Sequence, residues 1–469
     1  MGRIQAAYLM PHPPIILKEV GKGEEKKIQK TIAGMKKVAL EIKEKKPGAI
    51  VVITPHGPLF RDAVAISVEP EMQGNMGKFG AKEVRFTKDN HLELTNKILQ
   101  FAKARNIFCA QVNKDFVHEY HVSSELDHGT MVPLYFIDEA YIHYKLVHIT
   151  YGLLPREDLY KLGKAIQEAV EGLEEDVIVI ASGDLSHKLS QEAPAGYHPS
   201  GRIFDEKILK LLEEGAVKDI LSMESCLTEE AGECALRSID IMLGTCDGYN
   251  ITPKVLSYEG PFGVGYGVVA IEIGDTNLER QYMEEIYHNR DEKIRQIRET
   301  EDPYVTLARA ALEYYVAHKK VMDLPKDLPT EILQEKAGVF VSLKKHGELR
   351  GCIGTIEPTT AHIADEIIRN AIQAGANDPR FYPVEEDELE EIIYSVDILK
   401  APEAINSLDE LDVRKYGVIV SSGRKSGLLL PNLENVDTVE EQVRIALQKA
   451  GIKANEGYNL QRFEVERHK

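Results

Sequence analysis

The chain has no tryptophan, only five cysteines in 469 residues, and no apolar run of membrane-spanning length. Each shortage narrows the field. Cys109, Cys226, Cys234, Cys246 and Cys352 are odd in number, scattered and never in a CxxC pair. A disulfide framework or zinc ribbon is therefore not expected, and a reducing cytoplasm is the expected compartment. A spanning helix needs about 20 apolar residues, so no membrane partner is expected. The opening residues, MGRIQAAYLMPHPP, lack a basic region followed by a long apolar core, so a secretory leader is not expected either. Basic charge is also scarce: 57 Lys and Arg stand against 76 Asp and Glu, a net −19. With no basic face to neutralise phosphates, nucleic acid is not expected as a ligand.

What remains is a globular composition, 43% hydrophobic and 28% charged, long enough for two or three domains. The first part alternates apolar runs with amphipathic helical patterns. Ile4 to Leu9 and Ala49 to Ile53 read as strands around a helix over Gly23 to Lys46. Further on, the pattern predicts helices at Asn90–Arg105 and Glu157–Gly172. Strands are predicted at Ile107–Val112, Tyr144–Ile149 and Val177–Ser182, with a last buried one at Tyr266–Ile273. Strand, helix, strand in this order predicts a layered α/β domain with a central, mainly parallel sheet over residues 1–274. Residues 275–302 are dense in charge and read as a linker helix. Residues 303–469 open with a new periodic helix and carry hairpin signals around His346-Gly347 and Gly423–Ser426, which predicts a second domain.

The chemistry-bearing residues lie where strands end. His12 sits in Met10-Pro11-His12-Pro13-Pro14, and the flanking prolines bar helix and ladder pairing, so the imidazole is held on a rigid loop. His56 follows the AIVVI strand in Thr54-Pro55-His56-Gly57. Carboxyl ends of parallel strands are where α/β sheets bind ligands. A third strand ends in Gly183-Asp184-Leu185-Ser186-His187, and Glu259 sits on a Gly/Pro loop before the last strand. Two histidines and one carboxylate make the facial set that holds non-haem ferrous iron with open positions. Such a centre keeps net positive charge and favours an anionic two-oxygen ligand plus O2. His187 is then left to act as acid and base, since an imidazole titrates near neutral pH. Other signals are weaker. His118-Glu119-Tyr120-His121 lacks the i,i+4 spacing of HExxH. Gly263 to Gly267 opens a strand, so it reads as close backbone packing rather than a phosphate loop. His198 is either a pocket-entrance residue or an ordinary loop histidine.

The ordered runs AAYLMPHPPIIL, ITPHGP, ELDHGTMVPLYF, ASGDLSH and YEGPFGVGYG resemble the LigB-type (class III) extradiol dioxygenase superfamily, which includes the Memo proteins. The likeness covers about residues 4–273. It implies His12, His56 and Glu259 as ligands of Fe(2+) or another divalent metal. It implies His187 as the catalytic acid/base and His128 as a catalytic group near substrate or O2. Memo proteins place a cysteine near the third ligand position, and Cys246 lies upstream of Glu259. In the second domain, LRGCIGT (Leu349–Thr355), NDPRF (Asn377–Phe381) and GLLLP (Gly427–Pro431) resemble the AMMECR-type domain, which implies an α+β fold with an antiparallel sheet. Arg350 could bind an anion or carboxylate there. Cys352 reads first as a small buried residue and second as a reactive thiol. The two modules together imply a radical-SAM protein partner.

The leading expectation is an iron-dependent extradiol dioxygenase-like oxidoreductase of aromatic compound metabolism, taking a catechol-like diol and O2, in a chain that can form a homo-oligomer. The alternative is a Memo-like metal-binding accessory or interaction protein that works with the radical-SAM partner and cleaves no ring.

Overall fold

The structure is a computed structural model that describes residues 2–345, 348–423, 425–433, 436–453 and 456–469. The turn expected at His346-Gly347 lies outside the described residues, as does Arg424 in the second expected turn. The chain divides into two compact units, Met1–Tyr287 and His288–Lys469. The division falls inside the charged segment, within the helix Tyr282–Glu299.

The first unit is built on eight strands. They are β1 (Ile4–Met10), β2 (Ala49–Thr54), β3 (Val64–Ser67), β6 (Cys109–Val112), β7 (Lys145–Thr150), β8 (Val177–Ser182), β9 (Tyr249–Glu259) and β10 (Tyr266–Thr276). Their order is β6-β3-β7-β2-β8-β1-β10-β9. The centre is parallel: β7 with β2, β2 with β8, and β8 with β1. Both faces of this centre are buried, which is why β2 and β8 are wholly apolar apart from Thr54 and Ser182 at their ends. The two-residue period of a strand sends alternate side chains to opposite faces. Thus Val51 and Ile53 join one core while Ile50 and Val52 join the other. The first core is covered by helices Leu92–Ala104, Arg156–Glu171 and Leu236–Gly244, and the second by Gln29–Lys45 and His128–Ala140.

The edges depart from the expected parallel order. Strand β10 runs antiparallel to both β1 and β9, and β3 runs antiparallel to β7. A separate hairpin, β4 (Glu71–Met76) with β5 (Ala81–Asp89), carries a short turn at Gly77–Phe79. Its alternating, half-polar residues gave no strong sequence signal.

The second unit holds two four-stranded sheets whose pairings are all antiparallel. Their strands are β11 (Gly338–Lys345), β12 (Glu348–Gly354), β13 (Ile392–Leu399), β14 (Glu403–Ile405), β15 (Gly417–Ser422), β16 (Lys425–Leu429), β17 (Asn459–Phe463) and β18 (Val465–His468). The orders are β12-β11-β13-β18 and β14-β17-β15-β16. Helices Pro303–His318 and Ile363–Ala376 pack on the first sheet, and Val439–Ala450 packs on the second. Each unit therefore has its own core. Among the described residues, no helix is long and apolar enough to cross a membrane.

Candidate metal centre

His12 follows β1 and His56 follows β2, and these two strands flank β8. The loops bring the two rings edge to face, with Nε2 to Nε2 at 2.9 Å. His128, the first residue of the helix His128–Ala140, stacks on His56 with ring centroids 4.1 Å apart. One ligand atom from each of His12, His56 and His128 lies within 4.8 Å of the others.

The hydrogen bonds around His12 settle which nitrogen is free. Ser182, at the end of β8, has one hydroxyl hydrogen and gives it to the Gly129 carbonyl. Its oxygen must therefore accept from His12 Nδ1–H, 2.9 Å away, which leaves the Nε2 lone pair pointing at His56. Burial first, and the neighbouring His56 second, hold the His12 pKa well below the ordinary histidine value. Burial likewise lowers His56, and burial with the adjacent imidazoles brings His128 down to about 3. All three rings are thus neutral at neutral pH. Neutral imidazoles that bring one ring nitrogen each to a common point fit a divalent cation, because metal ligands must be deprotonated.

Beneath the cluster lies a second layer of polar groups. Asp127 accepts from Thr54 Oγ1 (2.6 Å), His148 Nε2 (2.9 Å), Thr130 N (3.2 Å) and Thr130 Oγ1 (3.2 Å). Burial opposes its charge, yet these donors, His148 foremost, hold the carboxyl well below the usual carboxylate range. On the other side Asp184 Oδ1 accepts from His12 N at 2.8 Å, and burial raises its pKa to about 6. Cys234 Sγ lies 3.7 Å from His12 Nε2 and 3.3 Å from Asp184 N. Burial and the Asp184 charge push that thiol up, so it is protonated at neutral pH. A cavity of about 340 Å³ opens on His56 and His128, with Lys78, Phe79, Leu126 and Met131 also lining it.

The structure brings together His12, His56 and His128 and does not bring Glu259 to them. Glu259 is the last residue of β9, paired in register with Tyr266 rather than lying on a free loop. Its Oε1 accepts from Thr31 N at 2.7 Å and Thr31 Oγ1 at 2.8 Å, so the carboxylate holds the helix Gln29–Lys45. Cys246 is also elsewhere, buried in the core with Sγ against the Met242 carbonyl. The cysteine beside the histidines is Cys234, in Gly232-Glu233-Cys234-Ala235, a run with no motif to mark it.

His187 lies close enough for its charge to act on His12, His56 and Asp184. Its Nδ1 is bonded to the Gly232 carbonyl, which can only accept, so Nδ1 carries a hydrogen and Nε2 is the ring nitrogen left to exchange a proton. The lesser signals resolve simply. His198 caps the helix Pro199–Glu214, taking a bond from Ser200 N. A Cβ on Gly265 would lie 2.0 Å from Asp205 Oδ2, which is the close packing expected of that glycine run. In the second unit Arg350 is held by Glu388 through bonds of 2.7 and 2.9 Å. Cys352 is half-buried in β12, and burial raises its thiol pKa.

Comparison with known proteins agrees with this architecture. The sequence model of a family described as the catalytic LigB subunit of aromatic ring-opening dioxygenase matches residues 6–269, and that of AMMECR1 matches residues 305–468. Protein CA_C1420 of Clostridium acetobutylicum is 47% identical over 463 residues, covering 98% of both chains. A Thermotoga maritima protein is 51% identical over 171 residues, which is 36% of this chain and 98% of that one. Among solved structures, uncharacterized protein PH0010 from Pyrococcus horikoshii is similar at 34% identity with a TM-score of 0.33, covering 35% of this chain and 88% of that one.

Proposed function

Because the chain belongs to the family of the catalytic LigB subunit of aromatic ring-opening dioxygenases, with an AMMECR1 domain following it, we propose that its first unit is a metal-dependent oxidoreductase of extradiol dioxygenase type. The observation that carries this reading is the cluster of three neutral imidazoles, two of which, His56 and His128, line a cavity. In it, His12, His56 and His128 hold the divalent ion. Ferrous iron held there would bind the diol and O2 together and pass electrons from the diol, which is the group oxidised, to O2. The substrate is a catechol-like diol. His187 Nε2 takes the proton of one hydroxyl and later returns it, and the fixed hydrogen on Nδ1 keeps the ring in the tautomer that does so. Asp184 and Cys234 close the side of His12 away from water.

The experiment is metal analysis of protein purified without oxygen, followed by O2 uptake in the presence of a catechol panel. The expected result is about one metal per chain, catechol-dependent uptake, and loss of both in His12→Ala. A second reading has its own support. The Cys234 thiol faces His12 Nε2 while the Glu259 carboxylate lies elsewhere, as in Memo-like proteins, which favours metal binding without ring cleavage and service to a radical-SAM partner. Iron-loaded protein that consumes no O2 with any catechol would select it.

A further inference from the structure

We infer that Asp127 is the positioning residue of the metal centre, a single carboxylate that sets the places of His56 and His128 at once and so fixes the centre's affinity for a divalent ion. This rests on the proposed metal reading and adds to it a residue that lies at the cavity wall beside His56 and His128 but outside the set of three imidazoles.

The argument is one of connection. A carboxylate offers about four acceptor directions, and here four donors fill them. One is Thr54 Oγ1, at the carboxyl end of β2, which donates to Asp127 Oδ1 at 2.6 Å. The same Thr54 oxygen accepts from His56 N at 3.3 Å, so Asp127 reaches the His56 loop through one hydroxyl. A second link is to its own helix. Thr130 N and Thr130 Oγ1 both donate to Asp127, which caps the helix His128–Ala140 and fixes the ring of its first residue, His128. The third is His148 in β7, whose Nε2 at 2.9 Å anchors the carboxylate to the buried sheet. The spacing leaves no slack. A Cβ on Gly129 would lie 2.3 Å from Thr54 Oγ1 and 2.8 Å from Asp127 Oδ1, so only glycine lets the helix start this close to β2. Through the Gly129 carbonyl the same segment meets Ser182, which orients His12. Removing one carboxylate therefore loosens two imidazoles and weakens the purchase on the third.

The test is titration of the full-length metal-free protein with Co²⁺, read by its visible absorption, for wild type, His12→Ala, Asp127→Asn, Thr54→Val and Thr54→Ser. Partners that orient metal ligands are worth about 10–100-fold in affinity. The expected result is a loss of that size with an altered Co²⁺ spectrum in Asp127→Asn and Thr54→Val, and return to wild-type binding in Thr54→Ser, which restores the hydroxyl. If Asp127→Asn does not fold, the Thr54 pair decides. Wild-type affinity and spectrum in Thr54→Val, with binding abolished in His12→Ala, would overturn the positioning role and leave the metal reading standing. Equal binding, or none, in wild type and His12→Ala would end the metal reading and this inference with it.

Discussion

His12 and Ser182 form the bond on which the centre turns: Ser182 Oγ accepts the Nδ1 hydrogen of His12 because its own hydrogen is committed to the Gly129 carbonyl. Replacing Ser182 by alanine removes the acceptor and leaves a buried ring free to carry its hydrogen on either nitrogen. Metal affinity should fall about 10–100-fold, measured by competition with a chelator of known strength. Fold and unfolding temperature should change little.

His187 and the three clustered histidines should separate in their mutants. His187→Ala is expected to retain metal and to lose about 10²–10⁴-fold in turnover, the usual worth of a general acid–base group. Metal content and kcat measured on one preparation check this. Loss of the metal instead would move His187 into the ligand set.

Asp205 gives the first unit a pH dependence away from the metal. It is fully buried, accepts from Ser186 N at 2.8 Å and Tyr258 Oη at 2.7 Å, and burial raises its pKa to about 7. The folded state thus binds this proton more tightly than the unfolded chain does, where an aspartate titrates near ~3.9. Stability then falls as pH rises from about 4 to about 7, by on the order of 2–4 kcal/mol for this group. Asp205→Asn should flatten that slope, as read by hydrogen exchange of peptides from β8 and the helix Pro199–Glu214 at pH 4.5 and pH 7.5.

Arg156 and Asp240 make a buried pair with bonds of 2.6 and 2.7 Å, and the Asp240 side chain is fully enclosed. Arg156→Ala strands that carboxylate and should cost roughly 3–5 kcal/mol. The double change Arg156→Met with Asp240→Leu should cost far less. Thermal unfolding of the single and double variants tests the difference.

The central strands and the strand-end histidines were legible in the sequence because both are local. An unbroken apolar run such as AIVVI reports burial on both faces, and a histidine directly after it must sit at the rim of a parallel sheet. Glu259 was misplaced because its address depends on pairing. β9 and β10 lie side by side in antiparallel register, and Thr31, 228 positions away, is what the carboxylate meets. Cys234 and His148 were not legible for the same reason: neither has a local pattern, and each reaches the centre only through the folded course of the chain. Asp127 and Gly129 did leave a trace. His56-Gly57 and His128-Gly129 are two of the three His-Gly pairs in the sequence, and a Cβ on either of these glycines would run into a threonine hydroxyl, at 2.0 Å for Gly57 and 2.3 Å for Gly129.

The order β2-β8-β1 has a consequence for how this architecture can change. Neighbouring strands are about 4.8 Å apart, so the strands that deliver His56 and His12 stand roughly 10 Å apart, a gap the two imidazoles close across the small end residue of β8. One more strand inserted between them would widen the gap by half and part the rings. A bulkier residue at Ser182 would prop them apart from below. The sheet can therefore gain or lose strands only at its rims, toward β6 or β9, and any descendant that keeps the centre must keep these three strands as an indivisible block.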